Sequence, residues 1–219
     1  MLKFTEALCS ARGRILAAAV TVGTVACGPP AAAPLGGAPV PALAMPSTGF
    51  TAGHLLIAFR WEYVEGSSLT RGEGAVRVAP PDSARLDLFL GGFGSGAAVL
   101  IGDQLHAPLP DAARNMIPPP PMLWAAFGRL AVPAVGDTTV RADGDLLRAD
   151  IGTEPVWRVT FTAGRLTRLE HIAGGRIQEY VERDDARVRY VSNVAQRRLT
   201  LTIIRDESVP PFDRSVWVL

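Results

Sequence analysis

Apolar and polar residues alternate with a period of two along most of the chain after residue 53. In 54–64, large apolar side chains occupy every second position, which is typical of a strand with one buried face. The pattern returns in 69–79, 85–90, 97–101, 104–107, 146–151, 156–162, 165–172, 177–182, 188–191 and 199–204. Short turns between these segments predict a mainly β protein, with one antiparallel sheet of about nine to eleven strands. Long strands with one apolar face favour a sheet that curls around its own interior.

Residues 111–130 break this alternation and predict helix around a proline block. The prolines at 118–121 cannot lie inside a helix, but Pro121 can begin one. The run 122–127 that follows is apolar on nearly all sides, and we expect it to end near Gly128. This run is either a helix wedged between the sheet and a loop or a lid over an apolar cavity, with Met122 and Trp124 touching a ligand.

The N-terminus has the order of a bacterial export signal. Basic residues precede an apolar run, 15–26, that is too short to span a bilayer. The run ends in Thr24-Val25-Ala26-Cys27, which resembles a lipobox, although its first position is usually Leu. The sequence therefore predicts cleavage after residue 26 and acylation of Cys27. The alternative is an ordinary signal peptide with an incidental cysteine.

Residues 28–49 consist almost entirely of Pro, Ala, Gly and other small or apolar residues, without charge. Such a stretch cannot bury enough side chain to fold. As polyproline II it would reach roughly 70 Å, at about 3.1 Å per residue. The predicted organisation is a lipoprotein signal peptide in 1–26, a lipidated tether in 27–52 that spaces the protein from the bilayer, and a folded domain in 53–219.

Composition excludes several function classes. The formal net charge of +1 gives no electrostatic case for nucleic-acid binding. Of the two cysteines, Cys9 is lost with the signal, so no internal disulfide can form. No histidine pair has the spacing of metal ligands, and no serine has a nucleophile context. We expect no enzyme activity, no cofactor and no metal; a hydrolase lacks a nucleophile–base pair.

The glycine-rich loop at 91–96 carries Phe93 at its tip. A large aromatic side chain at a loop tip loses free energy unless it meets another apolar surface. Phe93 is predicted either to touch a membrane or to fold back as a plug for the core.

These elements resemble the LolA/LolB superfamily of lipoprotein carriers and receptors. The resemblance covers about residues 54–208. Four segments carry it: Phe59-Arg60-Trp61, the stretch from Arg85 to Ser95, the Pro-rich segment Ile117–Leu130, and Val156-Trp157-Arg158-Val159. It implies an unclosed antiparallel barrel, with short helices plugging its open side and an interior that accepts acyl chains. In the receptor branch, a loop like 90–96 projects an apolar residue toward the bilayer, which matches Phe93.

The resemblance implies an outer-membrane lipoprotein that binds acyl chains or lipoproteins and aids their delivery to that membrane. The alternative is a non-catalytic structural or sensory envelope lipoprotein that uses the fold as an interaction module. Gly28 is not the Asp associated with inner-membrane retention, which favours an outer-membrane anchor facing the periplasm. We expect a monomer attached by its acyl chains. The candidate cavity residues are Ile57, Phe59, Trp61, Leu88, Leu90, Met122, Trp124, Phe127, Trp157, Val159, Phe161 and Leu201.

Overall fold

One antiparallel sheet accounts for most of the chain. The computed structural model describes residues 28–50, 53–90, 94–133 and 137–219, without the side chain of Leu90. In these residues the sheet has thirteen strands. They are β1 (Ala38–Val40), β2 (His54–Glu65), β3 (Ser68–Ala79), β4 (Ser83–Leu90), β5 (Gly94–Ile101), β6 (Gln104–His106), β7 (Thr138–Asp143), β8 (Leu146–Ile151), β9 (Val156–Thr162), β10 (Arg165–Ala173), β11 (Arg176–Arg183), β12 (Arg187–Ser192) and β13 (Arg197–Val209).

The sheet is open. Its strand order is β1-β7-β8-β9-β10-β11-β12-β13-β2-β3-β4-β5-β6, so β1 and β6 are its two edges. Two short helices, α1 (Asp111–Arg114) and α2 (Pro120–Ala126), lie between β6 and β7 in the chain. The helix α2 packs on β10, β11 and β12 and is almost wholly buried. The predicted fold class, a mainly β unclosed sheet with short helices, is confirmed.

Thirteen strands exceed the nine to eleven expected, because β1 and β7 were not predicted. They pair with each other, with Val40 opposite Val140. In β7 a single buried valine stands between Thr, Arg and Asp, so its alternation is weak. In β1 the central residue is Pro39, which a strand tolerates at the edge of a sheet.

The strands define two rims. We call the end that carries the β2–β3, β4–β5, β8–β9, β10–β11 and β12–β13 connections the upper rim. The opposite end, the lower rim, carries the β3–β4, β5–β6, β7–β8, β9–β10 and β11–β12 connections.

Alternation gives the sheet two unlike faces. The inner face is apolar and forms the core. On the outer face, ion pairs connect neighbouring strands. Arg168 donates to both Glu170 and Glu182, at 2.8 and 2.7 Å. The guanidinium of Arg168 also lies 4.1 Å from the centre of the Tyr180 ring. Because charge and aromatic surface are paired along this face, it remains in water while the inner face is buried.

The Pro/Ala/Gly segment, expected to be unfolded, lies against the sheet instead. It supplies β1, and Thr48 accepts a hydrogen bond from the Leu130 amide at 2.8 Å. Phe50 packs on Trp124 with their ring centres 6.1 Å apart. Composition does not reveal this arrangement, because the segment is held mainly by its carbonyl groups and by arginines of the sheet.

Two glycines of β3 lie beneath aromatic rings of β2. A Cβ atom at position 72 would come within 2.2 Å of the Phe89 carbonyl oxygen and 2.5 Å of the Trp61 ring. At Gly74 the Phe59 ring would be 2.7 Å away. These glycines let the aromatic side chains approach the neighbouring strand closely and fill the inner face.

We predict that Gly72→Ala lowers the free energy of unfolding by about 1–3 kcal/mol, because backbone and ring must both move. Gly36→Ala is the matched control, since a Cβ there meets nothing within 4 Å. Urea unfolding of both variants measures the difference. Equal stability of the two variants would contradict the close packing at position 72.

Candidate ligand-binding interior

The inner face supplies a continuous apolar wall. Phe59 and Trp61 project from β2, while Val159 and Phe161 project from β9, and all four are buried. The indole N–H of Trp61 donates to the Glu73 carbonyl at 3.0 Å, so this large side chain has its polar atom satisfied. The interior therefore presents hydrocarbon and ring surface.

The helix α2 closes this interior. Met122, Leu123 and Trp124 are 0, 3 and 1% exposed, so an element of seven residues is buried on nearly all sides. Pro120 occupies its first turn, and Pro119 lies at its N-cap without a side-chain cap. The helix ends before Gly128, whose φ of 90° is left-handed. The helix starts at a proline one position earlier than the predicted Pro121, which lies in its first turn, and it ends near Gly128 as predicted.

Trp124 is the main attachment of this helix. Its indole N–H donates to the Gly102 carbonyl at 2.6 Å, which ties α2 to the β5–β6 connection. The ring of Phe127 meets it edge-on at 6.3 Å, and the Arg129 guanidinium lies 4.7 Å from the ring centre. This hydrogen bond and the ring contacts of Trp124 therefore fix the position of α2 relative to the sheet.

Little space remains behind the helix. A cavity of about 30 Å³ with an entirely apolar lining, which we call the dry cavity, lies between α2 and the sheet. That volume has room for a water molecule or two, whereas ligand pockets usually measure hundreds of cubic ångströms. Its wall is formed by Phe59, Trp61, Leu86, Leu88, Met116, Ile117, Pro118, Leu123, Ala126, Phe127, Val188, Tyr190, Leu199 and Leu201. In this conformation the protein's own side chains fill the interior.

The structure brings several of the predicted residues together. Phe59, Trp61, Leu88, Phe127 and Leu201 lie on the wall of the dry cavity. Ile57 lies at an opening on the lower rim. Five others are buried in the surrounding core and do not form the cavity wall: Met122, Trp124, Trp157, Val159 and Phe161. Cys27, Phe93 and the side chain of Leu90 lie outside the described residues.

Sequence reasoning missed wall residues that the same alternation contains. Leu86 precedes Leu88 by two positions in β4, and Leu199 precedes Leu201 by two in β13. Tyr190 was missed because it stands among arginines in a short strand. Its hydroxyl donates to Glu179 at 2.7 Å, which allows the ring to face the interior.

An opening of about 230 Å³ on the lower rim leads toward the interior. Five residues lie on the walls of both this opening and the dry cavity, so together they separate the two: Phe59, Ala126, Phe127, Val188 and Leu201. The apolar part of the opening is formed by Ile57, Phe59, Val76, Ala126, Phe127, Val188, Leu201 and Ile203. The charged part is formed by Arg165, Arg183, Asp184, Asp185 and Asp206. The opening thus joins an apolar interior to a charged rim.

Arg183 is the innermost charge of this opening. Its guanidinium covers Gly128 so closely that a Cβ there would come within 2.0 Å of a guanidinium nitrogen. Burial lowers the pKa of Arg183, and the neighbouring Arg165 charge acts in the same direction. Arg183 therefore packs against the end of α2, and its guanidinium loses part of its hydration there.

A second concavity lies on the outer face, across β2, β3, β12 and β13, and measures about 800 Å³. Five arginines line it, namely Arg60, Arg71, Arg187, Arg189 and Arg198. Its carboxylates, Glu62 and Glu73, pair with Arg71 and Arg60 at 3.0 and 3.4 Å. The excess of arginine over carboxylate makes this groove suited to anionic groups.

The described residues contain no cluster of three or more His, Cys, Asp or Glu side chains that could hold a metal ion. His54 packs against Phe212, and His171 stacks on Trp157 at 4.5 Å. No helix in the described part of the chain is long and apolar enough to cross a membrane.

No family model matches the chain, and no curated protein matches it. Among solved structures, a LolA superfamily protein from Nitrosomonas europaea matches 78% of this chain and 93% of its own, with a TM-score of 0.50 and 9% identity. This chain has a LolA-type fold. The predicted resemblance is thereby confirmed at the level of fold.

Two further solved structures are similar to a lesser degree. A DUF1329 family protein from Desulfovibrio piger has a TM-score of 0.44 and 7% identity, over 77% of this chain and 90% of its own. A domain named for outer membrane lipoprotein sorting, from Vibrio parahaemolyticus, has a TM-score of 0.40 and 6% identity, over 76% and 89%.

The buried hydroxyl of Tyr190, in the wall of the interior, leads to a prediction about the pH dependence of stability. Burial, followed by the Glu179 charge, raises the pKa of the Tyr190 hydroxyl above its ordinary value. Above about pH 10 the unfolded chain loses the proton first, so the unfolded state binds fewer protons and stability falls as pH rises. Tyr190→Phe removes this contribution, and we expect a shallower loss of stability above pH 10.

Denaturant unfolding at pH 7 and at rising alkaline pH measures both effects. At pH 7 we expect Tyr190→Phe to cost about 1 kcal/mol, through loss of the hydrogen bond to Glu179. An alkaline slope identical to that of the wild type would show that Tyr190 is not the group concerned.

Proposed function

We propose that this chain is a lipid-anchored protein of the bacterial envelope, whose interior binds acyl chains of lipids or lipoproteins by exchanging them for α2. In this role it delivers lipidated cargo to the outer membrane. One observation carries the proposal: a wholly apolar interior is closed by one helix of seven residues. The protein acts without catalysis or cofactor, as a monomer, and does not bind nucleic acid.

The energetics favour exchange over a permanent cavity. An isolated helix this short is not stable in water, so α2 depends on its burial. Burying Met122, Leu123 and Trp124 contributes about 2–3 kcal/mol for each side chain. At about 0.8 kcal/mol per buried methylene, roughly ten methylenes offset the loss of all three. An acyl chain of ordinary length is therefore a competent replacement for α2.

The lower-rim opening supports a route for the ligand. A displacement of the C-terminal end of α2 would join the opening to the dry cavity, because Ala126 and Phe127 lie on both walls. The chain would then enter between α2 and the ends of β11, β12 and β13. This movement requires that the close contact between Arg183 and Gly128, which holds the end of α2, opens.

The envelope location rests on sequence and on the fold. The export signal and the lipobox-like Thr24-Val25-Ala26-Cys27 support acylation of Cys27. The fold is shared with a LolA superfamily protein. Gly28 favours the outer membrane, with the domain facing the periplasm.

A second candidate is an interaction module with no lipid ligand. The filled interior favours it, because about 30 Å³ admits no acyl chain as it stands. The arginine-lined groove on the outer face would then be the functional surface. The two candidates differ in whether lipid binds to the interior at all.

Trp124→Phe distinguishes them. The variant loses the hydrogen bond to Gly102 and so weakens the closed position of α2. If ligand and helix compete, apparent affinity for a fluorescent C16 fatty acid rises about tenfold for each 1.4 kcal/mol lost from the closed state. Titration of the purified protein measures the affinity, and thermal unfolding verifies that the variant folds.

Trp157→Phe is the matched control, because Trp157 stacks on His171 and is not part of the cavity wall. We expect its affinity to equal that of the wild type. Equal tightening in both variants would show general loosening and contradict exchange of α2. Absence of binding in all three proteins, with no lipid in the native mass spectrum, would favour the interaction module.

A further inference from the structure

The segment 28–40, which we call the strap, is bound along the sheet. The Pro30 carbonyl accepts from the Ile177 amide, and the Ala32 amide donates to the Gly175 carbonyl, both at 2.9 Å. Ala31 forms a β-bridge with Arg176. These contacts pin the beginning of the strap to the β10–β11 connection, which lies on the upper rim.

Arginine side chains continue the attachment over the outer face. Arg176 donates to the Pro29 carbonyl at 2.8 Å, and Arg158 donates to the Ala33 carbonyl at 2.5 Å. Arg141 donates to the Gly37 carbonyl at 2.9 Å, just before β1 joins β7. The strap thus runs from the upper rim, across the outer face, to the β1 edge. It is not free to act as a spacer.

The first described residue, Gly28, is held at the upper rim. A Cβ built on it would be 3.7 Å from the Arg176 guanidinium. Cys27 is its covalent neighbour, with the two Cα atoms about 3.8 Å apart. An acyl group on Cys27 therefore begins within one residue of the upper rim.

We propose that the upper rim lies directly on the phospholipid bilayer into which the acyl chains of Cys27 insert. This inference rests on the acylation of Cys27 in the proposed function. It replaces the expected tether of roughly 70 Å with an attachment of one or two residues. It also turns the lower-rim opening away from the bilayer, toward the periplasmic space.

The upper rim offers apolar side chains to such a surface. Val194, at the tip of the β12–β13 connection, is 64% exposed, and Leu69, at the start of β3, is 49% exposed. Exposed apolar side chains also occur at the lower rim, including Ile101. We therefore assign the upper rim to the bilayer because the anchor lies there, and not because this rim is more apolar.

Depth-dependent quenching tests the orientation. The acylated mature protein is reconstituted in phosphatidylethanolamine–phosphatidylglycerol vesicles that carry a headgroup nitroxide lipid. One fluorophore is attached through Val194→Cys at the upper rim or through Asp103→Cys at the β5–β6 connection. Eight residues of β5 place Asp103 about 26 Å from the upper rim. We expect several-fold stronger quenching at position 194 than at position 103.

A second variant isolates the strap. Inserting about twelve Gly and Ser residues between Gly28 and Pro29 gives the anchor about 20 Å of flexible reach and releases Gly28 from the rim. The hydrogen bonds of the strap, which begin at Pro29, remain. We expect quenching at position 194 to fall toward that at position 103. We expect the insertion to leave the fold unchanged, and thermal unfolding of the variant checks this.

The outcomes separate this inference from the proposed function. Weak and equal quenching at both positions in an acylated protein, whose mass verifies the acyl chains, overturns the orientation and leaves acyl-chain binding standing. An insertion without effect on quenching also overturns it. A mass without acyl chains overturns both the anchor and the orientation.

Discussion

The inner face of the sheet is apolar, and no second sheet covers it in the residues that the structure describes. The other features of the fold bury this apolar surface. Glycines at 72 and 74 let Trp61 and Phe59 lie close to the neighbouring strand, and the seven residues of α2 cover what remains. The outer face needs no cover because its arginines, carboxylates and Tyr180 ring pair with one another. Both the stability of the fold and any ligand binding therefore depend on the free energy that is gained by burying α2.

The helix α2 buries a large apolar area but makes few directional contacts with the sheet. The helix is buried through side chains that hydrocarbon can replace, and its main directional contact is the bond from Trp124 to Gly102. Non-directional apolar contacts are exchanged at little net cost when another apolar body takes their place. A closed interior of about 30 Å³ is therefore compatible with a protein whose ligand is an acyl chain.

The sequence predicts the inner face well, because period-two alternation reports burial of one side of a strand directly. It identified Phe59, Trp61, Leu88 and Leu201 on the cavity wall, and it placed the start of α2 at a proline, one residue after the observed Pro120. It missed β1, β7 and the strap, where carbonyl groups and arginines at a distance of more than a hundred residues make the contacts. Such pairings have no periodic signature. Nor does composition tell a hollow interior from one filled by its own helix.

Hydrogen exchange with and without saturating palmitate is the most direct measurement of the central claim. If acyl chains replace α2, the amides of Leu123 and Phe127, which bond within the helix, lose protection when palmitate binds. Amides of β9, including Val159 and Phe161, keep theirs. Saturation with palmitate that leaves α2 as protected as before would contradict the account.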